Sequence, residues 1–189
     1  ASFATAILGA LAVALVYIAA REWGAGRFGA LAGAIIFGTA ADVWLIHTQP
    51  EVFALHHCLI AGVLILSSPN SEFDDRTIAL GLSAIGGLGV AHHHTLVFLA
   101  PLGLWAGWRA FDQAGRPASL LSGAIGMFLA ASVLPYTYVI WTNLGDVGWH
   151  WGDFETPSDF LHVFMRGDYG TTSLTSGEVQ LKPLRQVGY

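Results

Sequence analysis

The chain has 189 residues, of which 54% are hydrophobic and only 11% are charged, and its formal net charge is −5. Soluble domains carry about 25% charged residues, so this composition excludes an ordinary soluble domain and a disordered chain. The negative net charge and the lack of a basic cluster exclude a nucleic-acid-binding protein. Because Cys58 is the single cysteine, an internal disulfide framework is also excluded. Charged residues are sparse up to Trp141 and denser after it. We therefore predict an all-α, polytopic membrane helical bundle over residues 1–141, followed by a more polar segment over residues 142–189.

Six apolar stretches predict about six transmembrane helices. They cover residues 3–20, 28–46, 53–67, 77–91, 95–108 and 118–141. A helix needs about 20 residues to cross a bilayer, and the first, second and last stretches reach that length alone. The middle three are about 15 residues long and reach spanning length only with residues at their ends, histidines among them.

Glycine spacing predicts where helices pack closely. Gly29 and Gly33, like Gly103 and Gly107, are four residues apart, which is the spacing of small residues at close helix contacts. Four more glycines lie in residues 81–89. They predict either tight packing or a local break in the helix that leads to His92.

The arginines predict the orientation of the helices. All five that precede residue 142 lie in alternate short connections: they are Arg21, Arg27, Arg76, Arg109 and Arg116. The intervening connections, residues 47–51 and 92–94, contain no Lys or Arg. Short cationic loops stay in the cytoplasm, so the first, third and fifth connections should be cytoplasmic. Residues 142–189 follow the sixth predicted helix and should therefore lie on the opposite, extracytoplasmic side. We expect an integral, multi-pass protein of a bacterial inner membrane or of the endoplasmic reticulum.

The extracytoplasmic segment contains one helix start signal. Thr156 can cap a helix, Pro157 suits its first position, and Asp159 completes the spacing of a capping box. Apolar residues follow at helical spacing up to Arg166. This pattern predicts a short amphipathic helix.

Histidines and carboxylates gather on the predicted outer side. The eight histidines are His47, His56, His57, His92, His93, His94, His150 and His162. Ionisable groups at membrane depth are costly and mark functional sites, so we predict an outward-facing polar cavity that also includes Glu51 and Asp153. The competing interpretation of any one histidine is a hydrated interfacial residue.

A divalent metal is an alternative occupant of this cavity, since imidazoles and carboxylates ligate Zn, Fe and Mn. However, adjacent histidines on a helix point about 100° apart, and the HExxH spacing is missing. We therefore expect no metal and no cofactor.

Three segments together resemble one known family. Residues 49–55 (QPEVFAL) resemble an AEVYAL signature, and residues 87–95 (GLGVAHHHT) resemble GLGLANHHT. Trp151-Gly152-Asp153, Thr156, Phe160-Leu161, Arg166 and Tyr169-Gly170-Thr171 resemble the pattern WGD..T..GFL…R..YGT. In this order the motifs resemble the transmembrane-protein-260-like protein O-mannosyltransferases. Two positions depart from the pattern. His92 stands where the motif has Asn, and Val163 stands where a histidine is expected, with His162 one place earlier.

The resemblance implies a GT-C type glycosyltransferase. Such an enzyme transfers a sugar, here mannose, from a polyprenyl-phosphate donor to Ser or Thr of an acceptor protein at the extracytoplasmic face of the bilayer. The substrate-binding residues would be Glu51, His92, His93, His94, Asp153, Arg166 and Tyr169. Arg166 would contact the leaving phosphate.

The family's acidic signature, which would hold the catalytic carboxylate, is missing from the sequence. We expect an internal fragment that is inactive alone, with that carboxylate upstream of Ala1. The alternatives are a transporter or flippase for a lipid-linked sugar and a non-catalytic membrane scaffold.

Overall fold

The computed structural model describes residues 2–49, 52–144 and 156–165, which form helices and contain no β-strand. The α-helices are α1 (Ser2–Glu22), α2 (Arg27–Thr39), α3 (Ala41–Thr48), α4 (Phe53–Ser67), α5 (Asp75–His92), α6 (Ala100–Gln113), α7 (Ala118–Leu144) and α8 (Pro157–Phe164). A 3₁₀ helix (His94–Leu99) joins α5 to α6. The chain divides into two units, Ala1–Thr137 and Tyr138–Tyr189. The all-α prediction is confirmed for the described residues.

Two of the predicted helices are not continuous. The second stretch breaks at Ala40, whose ψ of 130° is not helical, and α2 and α3 are bent by 64° relative to each other. The fifth stretch begins as the 3₁₀ helix, and α6 starts only beside Pro101. Proline fits a helix start because its missing N–H would have no partner there.

Two described helices are each long and apolar enough to cross a membrane. They are α1, over Phe3–Glu22, and α7, over Ala118–Thr142, and the bent pair α2–α3 is a third candidate if it counts as one span. Helix α4 is apolar but has 15 residues. By length and composition the described residues therefore contain two or three candidate spans, fewer than the six that the sequence predicts.

The fully buried side chains among the described residues are small, and many large apolar side chains are exposed. Ala12, Ala54 and Ala106 are fully buried, whereas Phe28 is 89% exposed and Phe98 is 80% exposed. Small residues let helices approach one another in a bilayer, where large apolar side chains face lipid rather than water. This distribution indicates a membrane protein. The buried core between α4, α5, α6 and α7 consists of Val63, Ile78, Ala79, Leu82, Ala106, Ala110 and Leu120.

The glycines of α5 pack tightly, as one of the two sequence interpretations predicts. A Cβ on Gly87 would overlap the Phe128 carbonyl oxygen and lie 2.9 Å from Ala131 Cβ on α7. A Cβ on Gly89 would overlap the Leu96 side chain. Because α5 runs unbroken from Asp75 to His92, the glycines serve close contact rather than a break.

The predicted glycine contacts of α2 and α6 are wrong. A Cβ on any of Gly29, Gly33, Gly103 and Gly107 would meet no atom of the described residues within 4 Å. The buried pairs with the same spacing are Ala30 and Ala34 on α2, and Ala106 and Ala110 on α6. Alanine is small enough for these contacts, so the helices present a different face from the one that the glycine spacing predicts.

The C-terminal ends of α1, α4 and α6 meet around Ser68. Arg109 Nη2 donates to the Ser68 carbonyl at 3.1 Å, and Ser68 Oγ donates to the Glu22 carbonyl at 2.8 Å. We call this side, with Arg21 and Arg109, the arginine end. Ser67 and Ser68 are fully buried, so the polar connection that follows α4 is packed into the bundle at its start.

The short helix α8 begins with the predicted capping box. The Thr156 amide donates to Asp159 Oδ2 at 2.7 Å, and the Asp159 amide donates to Thr156 Oγ1 at 3.4 Å. These reciprocal bonds satisfy amides that have no partner within the helix. Leu161 of α8 and Met165, which directly follows the helix, are exposed.

Candidate histidine site

The bend at Ala40 brings His47 into the bundle. Helix α3 packs against α1, α2 and α4, and His47 in its last turn is only 6% exposed. Gly9 of α1 lies beneath this imidazole, and a Cβ there would be 2.7 Å from His47 Cβ. Any larger residue at position 9 would therefore displace His47 or separate the two helices.

His47 pairs with a histidine from the first turns of α4. His47 Nε2 and His57 Nδ1 are 2.8 Å apart, so one of these nitrogens donates to the other. The Phe37 ring lies edge-on to both imidazoles, with centroid distances of 5.9 and 5.3 Å. The pair thus joins α3 to α4 beside an aromatic wall from α2.

A second group of histidines surrounds the Thr95 hydroxyl. Thr95 Oγ1 is 3.0 Å from His56 Nε2 and 2.6 Å from His93 Nδ1. The rings of His56 and His93 are 4.9 Å apart, and the Phe53 ring is 5.5 Å from His93. His56 is 5% exposed, and its Nδ1 is buried with no hydrogen-bond partner among the described residues. The hydroxyl thereby connects α4 to the 3₁₀ helix.

His92 connects the end of α5 to the start of α4. His92 Nε2 donates to the Val52 carbonyl at 2.9 Å, and that carbonyl also accepts the His56 amide at 3.3 Å. The family motif has Asn at position 92, and an asparagine amide is also an N–H donor. The departure from the motif therefore retains the donor that this contact requires.

The backbone separates the three consecutive histidines. His92 is the last residue of α5, His93 is extended with φ −152° and ψ 113°, and His94 begins the 3₁₀ helix. An extended residue between two helical segments turns successive side chains in different directions. His94 is half-buried.

The structure brings together part of the predicted site. We define the histidine cluster as His47, His56, His57, His92 and His93. Of the predicted substrate-binding residues, His92 and His93 belong to it, and His94 follows directly in the chain. The others, Glu51, Asp153, Arg166 and Tyr169, lie outside the described residues. His162 lies in α8, which belongs to the second unit.

Thr95 is the site residue whose role the sequence did not reveal. The sequence analysis quotes it only as the last residue of a motif, and a bridge to His56 spans 39 positions of the chain. The feature of the sequence that could have indicated its role is its position immediately after three histidines. The described residues contain no group of three or more His, Cys, Asp or Glu side chains that could hold a metal ion. The cluster instead offers polarised imidazole donors and acceptors that suit hydroxyl and phosphate groups.

The histidine cluster and the arginine end lie at opposite ends of α4. His56 and His57 are in its first turns, and Ser68, which accepts from Arg109, caps its last. Fifteen helical residues rise about 22 Å, so the two polar groups are separated by most of the thickness of a bilayer's hydrocarbon core.

Two curated proteins are similar to almost the whole chain. It is 28% identical over 182 residues to the protein O-mannosyl-transferase TMEM260 of Mus musculus, an alignment that covers 92% of this chain and 25% of the mouse protein. It is 24% identical over 192 residues to the protein O-mannosyl-transferase tmem260 of Dictyostelium discoideum, covering 94% of this chain and 23% of that protein. The chain therefore spans about a quarter of the length of the curated relatives it matches. No protein-family model matches the chain. No solved structure matches it either. The resemblance to the TMEM260-like family is confirmed by these relatives.

Proposed function

We propose that this chain is a membrane-embedded part of a TMEM260-like, GT-C type glycosyltransferase. The enzyme transfers mannose from a polyprenyl-phosphate donor to Ser or Thr of an acceptor protein. One observation carries the proposal: more than nine-tenths of the chain aligns with two protein O-mannosyl-transferases. The GT-C type and the lipid-linked donor are supported by the motifs around Glu51, His92 and Asp153.

The separation of charges along α4 supports an orientation in the bilayer. Short connections rich in arginine stay in the cytoplasm, so the arginine end faces the cytoplasm and the histidine cluster faces outward. In this arrangement the chain crosses the membrane six times, the shorter helices included, and residues 142–189 are extracytoplasmic. Donor and acceptor then meet at the outer ends of α3, α4 and α5.

The proposed substrate-binding residues supply hydrogen bonds and one positive charge. His92, His93 and His94 lie at or beside the cluster, and Glu51 precedes Val52, which His92 contacts. Imidazole N–H groups bind phosphate or sugar oxygens, and Glu51 orients sugar hydroxyls. Arg166 binds the phosphate, with Asp153 and Tyr169 completing the donor site.

The reaction is an inverting substitution. A carboxylate from a part of the protein outside this chain removes the proton of the acceptor hydroxyl, and the oxygen attacks the anomeric carbon as the lipid phosphate leaves. Such base assistance contributes about 10²- to 10⁴-fold. Arg166 stabilises the negative charge that develops on the leaving phosphate.

Reconstitution of the full-length protein tests the proposal. Proteoliposomes receive polyprenyl-phosphate mannose labelled in the sugar, together with a Ser/Thr peptide outside. Labelled peptide is the expected product. Movement of the donor across the bilayer without transfer would identify a flippase, and neither activity would favour a scaffold. Both of these outcomes contradict the proposal.

Two arginine variants test the donor site. Arg166→Ala should lower kcat/KM for the donor by about 10- to 100-fold, the value of a hydrogen bond to a charged group. The matched control is Arg76→Ala, which removes an exposed cation in the first turn of α5, at the opposite end of that helix from His92. Equal kcat/KM values in the two variants would refute the role of Arg166.

A further inference from the structure

The Thr95 hydroxyl restricts the protonation of the two imidazoles that it contacts. It lies 3.0 Å from His56 Nε2 and 2.6 Å from His93 Nδ1. A hydroxyl has one proton, so it can donate to only one of the two nitrogens. When it does so, the other nitrogen must hold its own proton and donate to the oxygen.

The burial of His56 selects the direction of this chain of hydrogen bonds. His56 Nδ1 is buried without a partner in the described part of the molecule. A neutral imidazole holds one proton, which lies on either Nδ1 or Nε2. A buried N–H without an acceptor is rarer and costlier than a buried acceptor nitrogen without a donor. The proton of His56 therefore resides on Nε2, which donates to Thr95. Thr95 in turn donates to His93 Nδ1, which leaves the proton of His93 on Nε2.

We propose that His56 and Thr95 are positioning residues that hold His93 as its Nε2–H tautomer, so that His93 donates a hydrogen bond to an oxygen of the lipid-linked sugar donor. Ring contacts with Phe53 at 5.5 Å and with His56 at 4.9 Å restrain the plane of this imidazole. The inference rests on the proposed function for the identity of the ligand. The tautomer itself rests on the two Thr95 contacts and on the buried His56 Nδ1, and not on the identity of the ligand.

A matched pair of variants isolates the hydroxyl. Thr95→Val has nearly the same shape but can neither accept from His56 nor donate to His93, whereas Thr95→Ser retains the hydroxyl. In the full-length protein with ¹⁵N-labelled histidine, the His93 signals are assigned by their loss in His93→Gln. Wild type and Thr95→Ser should show His93 protonated on Nε2 only. Thr95→Val should show a mixture of both tautomers.

Kinetics connects the tautomer to the substrate. Thr95→Val should raise the donor KM by the inverse of the fraction of His93 that stays protonated on Nε2, about twofold for an equal mixture, with a smaller change in kcat, whereas Thr95→Ser should keep the wild-type KM. Polyprenyl phosphate without sugar serves as a competitive inhibitor. An equal loss of its affinity assigns the contacted oxygen to phosphate, and an unchanged affinity assigns it to the sugar.

The spectra test the tautomer of His93, and the kinetics test the contact with the donor, so the two claims can be refuted separately. A wild-type His93 protonated on Nδ1, or a Thr95→Val spectrum identical to wild type, would overturn the inference. The wild-type spectrum decides the tautomer even if Thr95→Val does not fold. A full-length protein with the expected tautomer but no transfer activity would refute the proposed function and leave the positioning network intact.

Discussion

The contact between α5 and α7 depends on the absence of a side chain at Gly87. A Cβ at this position would overlap the Phe128 carbonyl oxygen and lie 2.9 Å from Ala131 Cβ and 3.0 Å from the Ser132 amide nitrogen. Two of these three obstacles are backbone atoms of α7, which cannot move by rotating about a side-chain bond. We therefore predict that Gly87→Ala destabilises the protein.

The neighbouring glycine provides a matched control. A Cβ on Gly86 would lie 3.5 Å from the Phe128 ring, which is an ordinary contact. Both variants gain the same helix propensity of about 1 kcal/mol, so their difference isolates the packing. Reaching an ordinary 3.4 Å contact at Ala131 alone requires Gly87→Ala to separate the helices by about 0.5 Å, and relieving the overlap with the Phe128 carbonyl oxygen requires more. Overpacking costs about 1–3 kcal/mol, and we expect the upper end because the obstacle is backbone.

Unfolding of the full-length protein in mixed micelles measures this difference. A denaturing detergent is titrated against Gly86→Ala, Gly87→Ala and wild type, and free energies of unfolding are compared. We expect Gly86→Ala to match or exceed wild type and Gly87→Ala to fall about 3 kcal/mol below Gly86→Ala. Equal stability of the two variants would refute the close approach of α5 and α7.

Two further predictions concern the ends of α5. His92→Asn retains an N–H donor for the Val52 carbonyl, whereas His92→Leu does not. Amide hydrogen exchange in the first turn of α4 should therefore accelerate only in His92→Leu. Equal exchange rates in both variants would contradict this contact. At the other end, hydrogen bonds from the Thr77 hydroxyl and amide to the Asp74 cap lower the pKa of that carboxyl below its ordinary 3.8. A carboxyl whose pKa is lower when folded stabilises the fold above its unfolded pKa, and this contribution disappears as the pH falls through the folded pKa. Between about pH 5 and pH 3, wild type should therefore lose more stability than Asp74→Asn, which keeps the cap without titrating; parallel losses would exclude a role for this carboxylate.

Features set by neighbouring residues could be predicted from the sequence. The apolar stretch 53–67 coincides with α4, and the capping box at Thr156 forms as its spacing predicts. The division between arginines and histidines also follows from order along the chain, since alternate connections of antiparallel helices lie at the same end. These features depend on composition and on contacts between residues a few positions apart, which a sequence displays directly.

The tertiary structure alone decided which helix faces meet and which histidines touch. Glycine spacing on α2 favours Gly29 and Gly33, yet Ala30 and Ala34 are the buried pair, and one residue along a helix is a rotation of about 100°. Thr95 bridges His56 and His93 only because α4 and the 3₁₀ helix pack in one register. Sequence alone indicated the helical stretches, the polarity of the two ends of α4 and the family resemblance, but not the bend at Ala40 or the 3₁₀ start of the fifth stretch. The site's hydrogen bonds join residues up to 40 positions apart, so they exist only once helix rotation and the bend at Ala40 are fixed by packing.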